Sequence, residues 1–263
     1  MDTMVNKQVS DGKLFKGKTL KEMRTMTAEE LLKLQFSSTP CIDGKVIPSD
    51  MTTILKKGTQ NDVNMISGNV TGDTGLFETL SIGNPFIPIS SLSKADYEKA
   101  VREKFRDCAE ECLVAYPVTG EDTLSQYKQI NLDGMLVNQY CFAKLRALKS
   151  SKPTYIYSFN HSLPGKADFG AFHTADIPYW LGVFSPNRSE YWTPVDYALR
   201  NKMLSYLINF AKTGNPNGKN LEQWNAYDGS MTNFYIGDDT FMTEGLSHEK
   251  IKFWQDYYNG LGG

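Results

Sequence analysis

The segment over residues 153–182 constrains the fold most, because it joins a short apolar run to a loop with two of the chain's three histidines. The run Thr154–Phe159 is rich in β-branched and aromatic residues, and turn-forming residues flank it on both sides. This pattern predicts a buried β-strand with a functional loop at its carboxyl end. His161 and His173 lie in that loop. By spacing alone, a single histidine is more often a packed, hydrogen-bonded side chain than a catalyst.

Capping signals and hydrophobic periodicity predict most of the other elements. Thr27, Ser93 and Thr193 each stand as an N-cap before an amphipathic pattern. Residues 41–56 are expected to form a loop, and residues 72–93 a lid-like or site-forming connection rich in glycine, proline and serine. The predicted helices cover residues 28–35, 93–117, 123–149, 194–212 and 247–258, and the predicted strands residues 63–68, 154–159 and 233–237.

Composition limits the class of protein. With 263 residues, 40% apolar and 22% charged, the chain has the make-up of a soluble globular protein. We expect a loose leader over residues 1–18 and one domain over residues 19–263. A net charge of −2 gives no reason to expect a nucleic acid or an anionic membrane as partner. No early apolar run resembles a signal peptide and none approaches a membrane span, so the expected location is cytoplasmic by default.

Cysteine and histidine spacing does not predict a metal site. The four cysteines are too few and too irregularly placed for a disulfide scaffold or a zinc site. Cys108 and Cys112 lie one helical turn apart, which is consistent with small core residues on one helix face. We therefore expect no metal and no cofactor.

Several separate sequence blocks occur in order along about residues 19–240. The most distinctive are Tyr157-Ser-Phe-Asn-His161, Gly170-Ala-Phe-His-Thr-Ala-Asp-Ile-Pro-Tyr179 and Asn209-Phe-Ala-Lys-Thr-Gly-Asn-Pro-Asn-Gly218. Together they resemble the C-terminal half of a type B carboxylesterase, the branch of the α/β-hydrolase superfamily that includes cholinesterases and para-nitrobenzyl esterases. The resemblance implies an α/β fold class, the C-terminal half of an α/β-hydrolase, with few, mainly parallel strands flanked by helices.

The resemblance also implies two catalytic side chains. In that family the triad acid follows a strand in a glycine-rich block, and the counterpart that begins at Gly68 places Asp73 at the acid position. This chain departs from the commoner pattern in having Gly72 before the acid and Thr74 after it. His173 matches the triad histidine, and the order of acid before histidine is that of α/β-hydrolases. If the fold is retained, these two side chains should lie within hydrogen-bond reach.

The nucleophile of the family has no counterpart among these residues. No serine has glycine at both minus two and plus two, so the Gly-x-Ser-x-Gly elbow is missing, and so is the glycine-rich oxyanion loop. The chain thus looks like the family with its first half removed. The candidate nucleophiles nearest the motif loops are Ser158, Ser162 and Ser67, although each is also consistent with a strand or loop serine bonded to backbone. His161 is a weaker alternative base.

Three hypotheses for function remain. The first is a hydrolase of small-molecule carboxylic esters, short-chain or aryl, that works with a relocated serine or with a complementing N-terminal half. The second is a non-catalytic binding or interaction module, and the third is a truncated, inactive esterase fragment. Asp73 and His173 favour the first hypothesis, because a binding module has no need of them. The missing elbow favours the second.

The resemblance finally predicts how the chain assembles. In the intact fold, the strands at residues 63–68 and 154–159 would lie beside strands of the missing half. An isolated half would present an unpaired, apolar sheet edge. We therefore expect a homodimer or higher assembly that buries this edge.

Overall fold

The computed structural model describes residues 18–33, 42–73, 92–120, 122–165, 170–184, 191–237 and 241–261. Its contacts divide the chain into two units, one formed by Met1–Asn61 with Leu148–Ser150 and the other by Asp62–Ala147 with Ser151–Gly263. The predicted leader lies outside the described residues except for its last residue, and so does most of the predicted lid-like connection. The single domain expected over residues 19–263 stays a prediction.

The first unit contains three short helices. Thr19 and Thr27 each form a complete capping box with a glutamate three residues later. The loop expected over residues 41–56 is wrong in its last part, because Asp50 accepts a hydrogen bond from the Thr53 N–H at 2.9 Å and starts a helix there. The helices are α1 (Leu20–Arg24), α2 (Ala28–Leu32) and α3 (Met51–Lys57).

The second unit is built on a sheet of four strands in the order β1-β2-β3-β4. The strands are β1 (Met65–Val70), β2 (Thr154–Phe159), β3 (Thr232–Ile236) and β4 (Phe241–Gly245). The first three run parallel, and β4 pairs antiparallel with β3. Few, mainly parallel strands flanked by helices are what the sequence predicts, although β4 was not among the predicted strands. Val70 pairs with Phe159, so the loops after β1 and β2 start side by side.

Helices cover this sheet. The predicted helix over residues 93–117 is interrupted, because Arg106 takes a positive φ of 46° and a 3₁₀ turn, Arg106–Cys108, follows. The predicted helix over residues 123–149 ends at Ala147, and Leu148 just beyond it is 59% exposed. The helices are α4 (Lys94–Phe105), α5 (Ala109–Ala115), α6 (Thr123–Ala147), α7 (Ile177–Leu181), α8 (Pro194–Thr213) and α9 (His248–Leu261).

Strand β2 separates two apolar cores. All six of its residues are buried, as expected for a parallel strand covered on both faces. Successive side chains point to opposite faces. Tyr155, Tyr157 and Phe159 therefore join a core with residues of α7 and α8, whereas Ile156 joins a core with residues of α4, α6 and α9. This division decides which side chains of the strand reach the loop that follows it.

Candidate active site

Asp73 and His173 meet at the carboxyl edge of the sheet. Nδ1 of His173 lies 2.7 Å from Oδ1 of Asp73, a hydrogen-bond distance between residues that are 100 positions apart in the sequence. The proximity that the sequence predicts is therefore present. The histidine side chain is 72% exposed, whereas that of the aspartate is only 16% exposed. A partly buried acid thus holds an imidazole that solvent and solutes reach.

The backbone fastens the loops that carry the two side chains. Past the end of β1, the Thr71 N–H donates to the Phe159 carbonyl at 2.9 Å, and the Gly72 N–H donates to the Ala171 carbonyl at 2.8 Å. A Cβ at Gly72 would lie 3.0 Å from backbone atoms of Ala171, which is closer than most side chains come to their neighbours, so this approach favours glycine. The residue before the acid, at which this chain departs from the commoner family pattern, therefore suits the close approach of the two loops.

The turn that presents His173 is tight and strained. Thr174 has a φ of 72°, in the left-handed region that β-branched residues rarely adopt. Ala171 and Ala175 are buried on either side of the exposed histidine. The Ala175 N–H donates to the Phe172 carbonyl at 2.8 Å. Such strain persists only where the surroundings fix it, and it is frequent at functional sites.

The three candidate serines occupy other positions. Ser158 is 2% exposed, donates to Oδ1 of Asn69 at 2.6 Å and lines an open cavity of about 330 Å³. It points to the opposite face of β2 from Tyr157. Ser67 donates to Gln139 on α6, and Ser162 is partly buried in the loop after β2. Across the described ranges, none of the three is a hydrogen-bond partner of His173.

His161, the alternative base, belongs to a second histidine-carboxylate pair. Its Nε2 lies 2.8 Å from Oδ1 of Asp196, and their side chains are only 8% and 0% exposed. The Tyr179 hydroxyl donates to the same oxygen at 2.6 Å, and the Thr193 N–H donates to Oδ2 at 2.7 Å. Burial opposes ionisation of Asp196, but the hydrogen bonds from Thr193, Tyr179 and His161 outweigh it and lower its pKa. This buried, fully bonded pair has the character of a structural network.

One further group near the site was not found from the sequence. The Tyr157 hydroxyl donates to Oδ2 of Asp176 at 2.7 Å, and the Trp180 indole N–H donates to the Tyr157 oxygen at 3.0 Å. Asp176 is three residues from His173. The only sequence signal for the contact between Tyr157 and Asp176 is the alternation of side chains along β2. This alternation places Tyr157 on the face of the strand that α7 covers.

The described residues do not offer a metal centre. Nowhere in the described ranges do three or more His, Cys, Asp or Glu side chains come together in a way that could hold a metal ion. None of the helices in those ranges combines the length and the apolar character that a membrane-spanning segment requires.

The pair can perform one defined piece of chemistry. With the Nδ1 proton donated to Asp73, Nε2 of His173 carries the lone pair and can accept a proton from a hydroxyl group. The carboxylate then stabilises the imidazolium that forms. Acyl transfer needs in addition a nucleophile and oxyanion donors.

Comparison with known proteins gives a consistent result. The model of the carboxylesterase family matches residues 5–254. Carboxylesterase 1F of Mus musculus is 27% identical over 91% of this chain and 49% of its own length. Carboxylesterase 4A of Bos taurus is 34% identical over 39% of this chain and 19% of its own length. This chain spans about half the length, or less, of these curated relatives.

A solved structure shows the fold. PNB esterase superposes with a TM-score of 0.63 at 21% identity, over 94% of this chain and 52% of that chain. At this identity the likeness shows the fold alone, an α/β-hydrolase fold of which this chain covers a part.

Proposed function

Because the chain belongs to the carboxylesterase family, we propose that it acts in carboxylic ester hydrolysis, with Asp73 and His173 as the acid and the base. The observation that carries the proposal is the 2.7 Å contact between Nδ1 of His173 and Oδ1 of Asp73. It lies where the loops after two neighbouring parallel strands meet, the usual place for a site in α/β proteins. The imidazole is exposed, so the hydroxyl of an attacking serine can approach it.

The mechanism follows from that geometry. His173 takes the proton of a serine hydroxyl as the serine attacks the ester carbonyl, and it returns the proton to the leaving alcohol, so that the acyl group stays on the serine. His173 then takes a proton from a water that attacks the acyl-serine and returns it to the serine oxygen as the carboxylic acid leaves. Asp73 holds the imidazole in the tautomer with the Nδ1 proton and stabilises the imidazolium. The effects of triad residues on the rate are not additive, because the residues act as a unit. Loss of His173 alone therefore removes nearly all of the catalysis by the triad. We propose small carboxylic esters, short-chain or aryl, as substrates.

The nucleophile is the open part of the mechanism. Ser158 and Ser67 bond to Asn69 and Gln139, which supports a structural use for both. We therefore propose that the attacking serine and the oxyanion donors come from outside these 263 residues, in a complementing N-terminal half, rather than from a relocated serine. The curated relatives are about twice as long as this chain where they match most of it, which is consistent with this proposal.

An edge of the sheet offers a place for that half. Strand β1 is at one end of the strand order, and β2 is its one partner among the described strands. An open edge is a template for further pairing. We propose that the complementing half pairs with β1, or that a second copy of the chain does so in its absence. Light scattering at micromolar concentration checks the second case, which a monodisperse monomer contradicts.

The first experiment measures hydrolysis of para-nitrophenyl acetate and butyrate. The chain is assayed alone and together with the N-terminal half of a carboxylesterase relative, and a fluorophosphonate label with peptide mapping identifies the reactive serine. We expect turnover only in the mixture, with the label on the elbow serine. His173→Gln should lower that turnover by about 10³-fold or more. His248→Gln, a change of another exposed histidine, is the matched control and should have no effect.

The same experiment tests the second candidate function. The missing elbow favours an interaction module, for which the surviving pair would have no catalytic use. Turnover at background level in both samples, unchanged by His173→Gln and without a labelled serine, overturns the esterase proposal. A label on Ser158, Ser162 or Ser67 in the chain alone would instead support a relocated nucleophile.

A further inference from the structure

We propose that Tyr157 is a positioning residue that holds His173 against Asp73, an inference that rests on the proposed function of this pair. Tyr157 lies in the middle of β2 and is 9% exposed. Its hydroxyl reaches the turn that carries the histidine, and its ring covers the strand that leads to the acid.

The ring of Tyr157 is seated on β1. Its partner in the strand register is Gly68, five residues before Asp73. A Cβ at Gly68 would lie 2.3 Å from ring carbons of Tyr157, a distance that no side chain could tolerate. Glycine at this position thus leaves room for the Tyr157 ring to lie directly on the backbone of β1. This contact links the ring to the strand that leads to Asp73.

The hydroxyl of Tyr157 fixes the other loop. It donates to Oδ2 of Asp176 at 2.7 Å and accepts from the Trp180 indole N–H at 3.0 Å. Burial and the nearby Asp176 carboxylate raise the pKa of Tyr157, so the hydroxyl keeps its proton and remains a donor. Asp176 is the N-cap residue of α7 and lies three residues after His173. The hydrogen bond therefore anchors the carboxyl end of the strained turn.

The anchor is needed because His173 has little packing of its own. The side chain is 72% exposed and its described hydrogen bond is the one to Asp73. The adjacent left-handed Thr174 would relax to a commoner conformation if the turn were released. The bond from Tyr157 to Asp176 is the side-chain contact that opposes this relaxation, on the side of the turn away from the Gly72 backbone contact.

The test reads the tautomer of His173, which requires neither a nucleophile nor a substrate. Long-range ¹⁵N–¹H spectra of the full chain distinguish the Nδ1–H from the Nε2–H form, and only three histidines contribute. We expect the Nδ1–H form at His173 in the wild type and its loss in Asp73→Asn. Tyr157→Phe should shift His173 most of the way to the Asp73→Asn value, while the His248 signals stay unchanged.

Tyr206→Phe is the matched control. Tyr206 is buried in the same core, and its hydroxyl donates to the Glu222 carbonyl at 2.9 Å, away from the His173 turn. It should lower stability about as much as Tyr157→Phe and leave the His173 tautomer at its wild-type value. If Tyr157→Phe also leaves the tautomer unchanged, Tyr157 is a core residue only and the proposal is overturned.

A second pair of variants covers the case in which Tyr157→Phe does not fold. Asp176→Ala removes the acceptor and should shift His173 as Tyr157→Phe would. Asp176→Asn keeps an oxygen acceptor and should restore the wild-type tautomer. An unchanged tautomer in Asp176→Ala overturns the proposal. Absence of ester hydrolysis, in contrast, speaks only against the proposed function and does not alter the tautomer reading.

Discussion

The chain contains two histidine-aspartate pairs with almost the same contact distance and opposite surroundings. Asp73 and His173 are 2.7 Å apart, with a histidine side chain that is 72% exposed. Asp196 and His161 are 2.8 Å apart, with side chains that are 0% and 8% exposed. The first pair bonds through Nδ1 and the second through Nε2. Distance alone therefore does not separate the pair that we propose to be catalytic from the buried pair.

What separates the pairs is the environment of the carboxylate and the free side of the ring. Both carboxylate oxygens of Asp196 are engaged inside the fold by hydrogen bonds with Thr193, Tyr179 and His161. Asp73 holds one imidazole whose other face is open. Removing one partner of a saturated buried pair is strongly destabilising, whereas an exposed pair contributes little stability and leaves the imidazole available for chemistry.

The largest expected effect comes from removing the buried acid. Asp196→Ala removes the oxygen that the Tyr179 hydroxyl and the His161 imidazole both contact, and it removes the capping box of α8. Loss of several buried, charge-assisted hydrogen bonds at once is costly, and we expect the free energy of unfolding to fall by about 3–5 kcal/mol. Urea denaturation followed by circular dichroism measures this loss.

Asp73→Ala is the matched variant at the exposed pair. A hydrogen-bonded pair with one largely exposed member contributes little, so this change should lower the free energy of unfolding by about 1 kcal/mol or less. Equal losses in Asp73→Ala and Asp196→Ala would contradict the assignment of one pair to stability and the other to chemistry.

Protonation of Asp196 at low pH should also lower the free energy of unfolding. The loss should be smaller than in Asp196→Ala, because the carboxyl group stays in place. The pKa of Asp196 is lowered below its ordinary value of 3.8, since its hydrogen bonds outweigh the cost of burial. A group whose pKa is lower in the folded state stabilises the fold fully above its unfolded pKa, and that stability is lost as the pH falls through the folded pKa. Below pH 3.8 the wild type should therefore lose stability more steeply than Asp196→Asn.

The measurement is the free energy of unfolding as a function of pH between about 2 and 6 for the two proteins. Curves that run parallel over this range would show that Asp196 is not ionised in the fold. In that case the network around it would be a set of neutral hydrogen bonds.

The family and the central strand of the sheet were predictable from the sequence, because both are encoded by short, contiguous stretches of residues. The blocks around His161, His173 and Asn209 predict the carboxylesterase family, which is confirmed. The strand Thr154–Phe159 was predicted with its observed ends, since turn-forming residues flank it on both sides. Short elements were missed, because α7 and β4 have only five residues each and little periodicity.

The sequence predicted the two residues of the candidate site but not the hydrogen bonds of the residues that surround them. Asp73 and His173 were placed by family pattern, and their catalytic roles stay a prediction. The burial of His161 could not be read from the chain, because its partner Asp196 is 35 residues away and stands as an ordinary capping residue. The same holds for Tyr157, whose partner Asp176 becomes a neighbour only when the loop folds back over β2.

The smallest expected effect concerns strain, which is found beside one pair and not beside the other. Thr174, next to His173, has a φ of 72°, whereas no described residue within four positions of His161 has a positive φ, except Gly165. The Thr174 side chain is exposed, so its replacement removes no packing. Asparagine tolerates the left-handed region better than a β-branched residue, and we expect Thr174→Asn to raise the free energy of unfolding by about 0.5–1 kcal/mol.

A reverse change elsewhere in the chain controls for the residue types. Asn220 is exposed and has a φ of 61°, so Asn220→Thr should lower the free energy of unfolding by a similar amount. Thermal unfolding of both variants measures the two shifts. If Asn220→Thr behaves as expected and Thr174→Asn lowers stability, the threonine makes a favourable contact in the turn. The strain would then not be a cost that the fold bears in order to present His173.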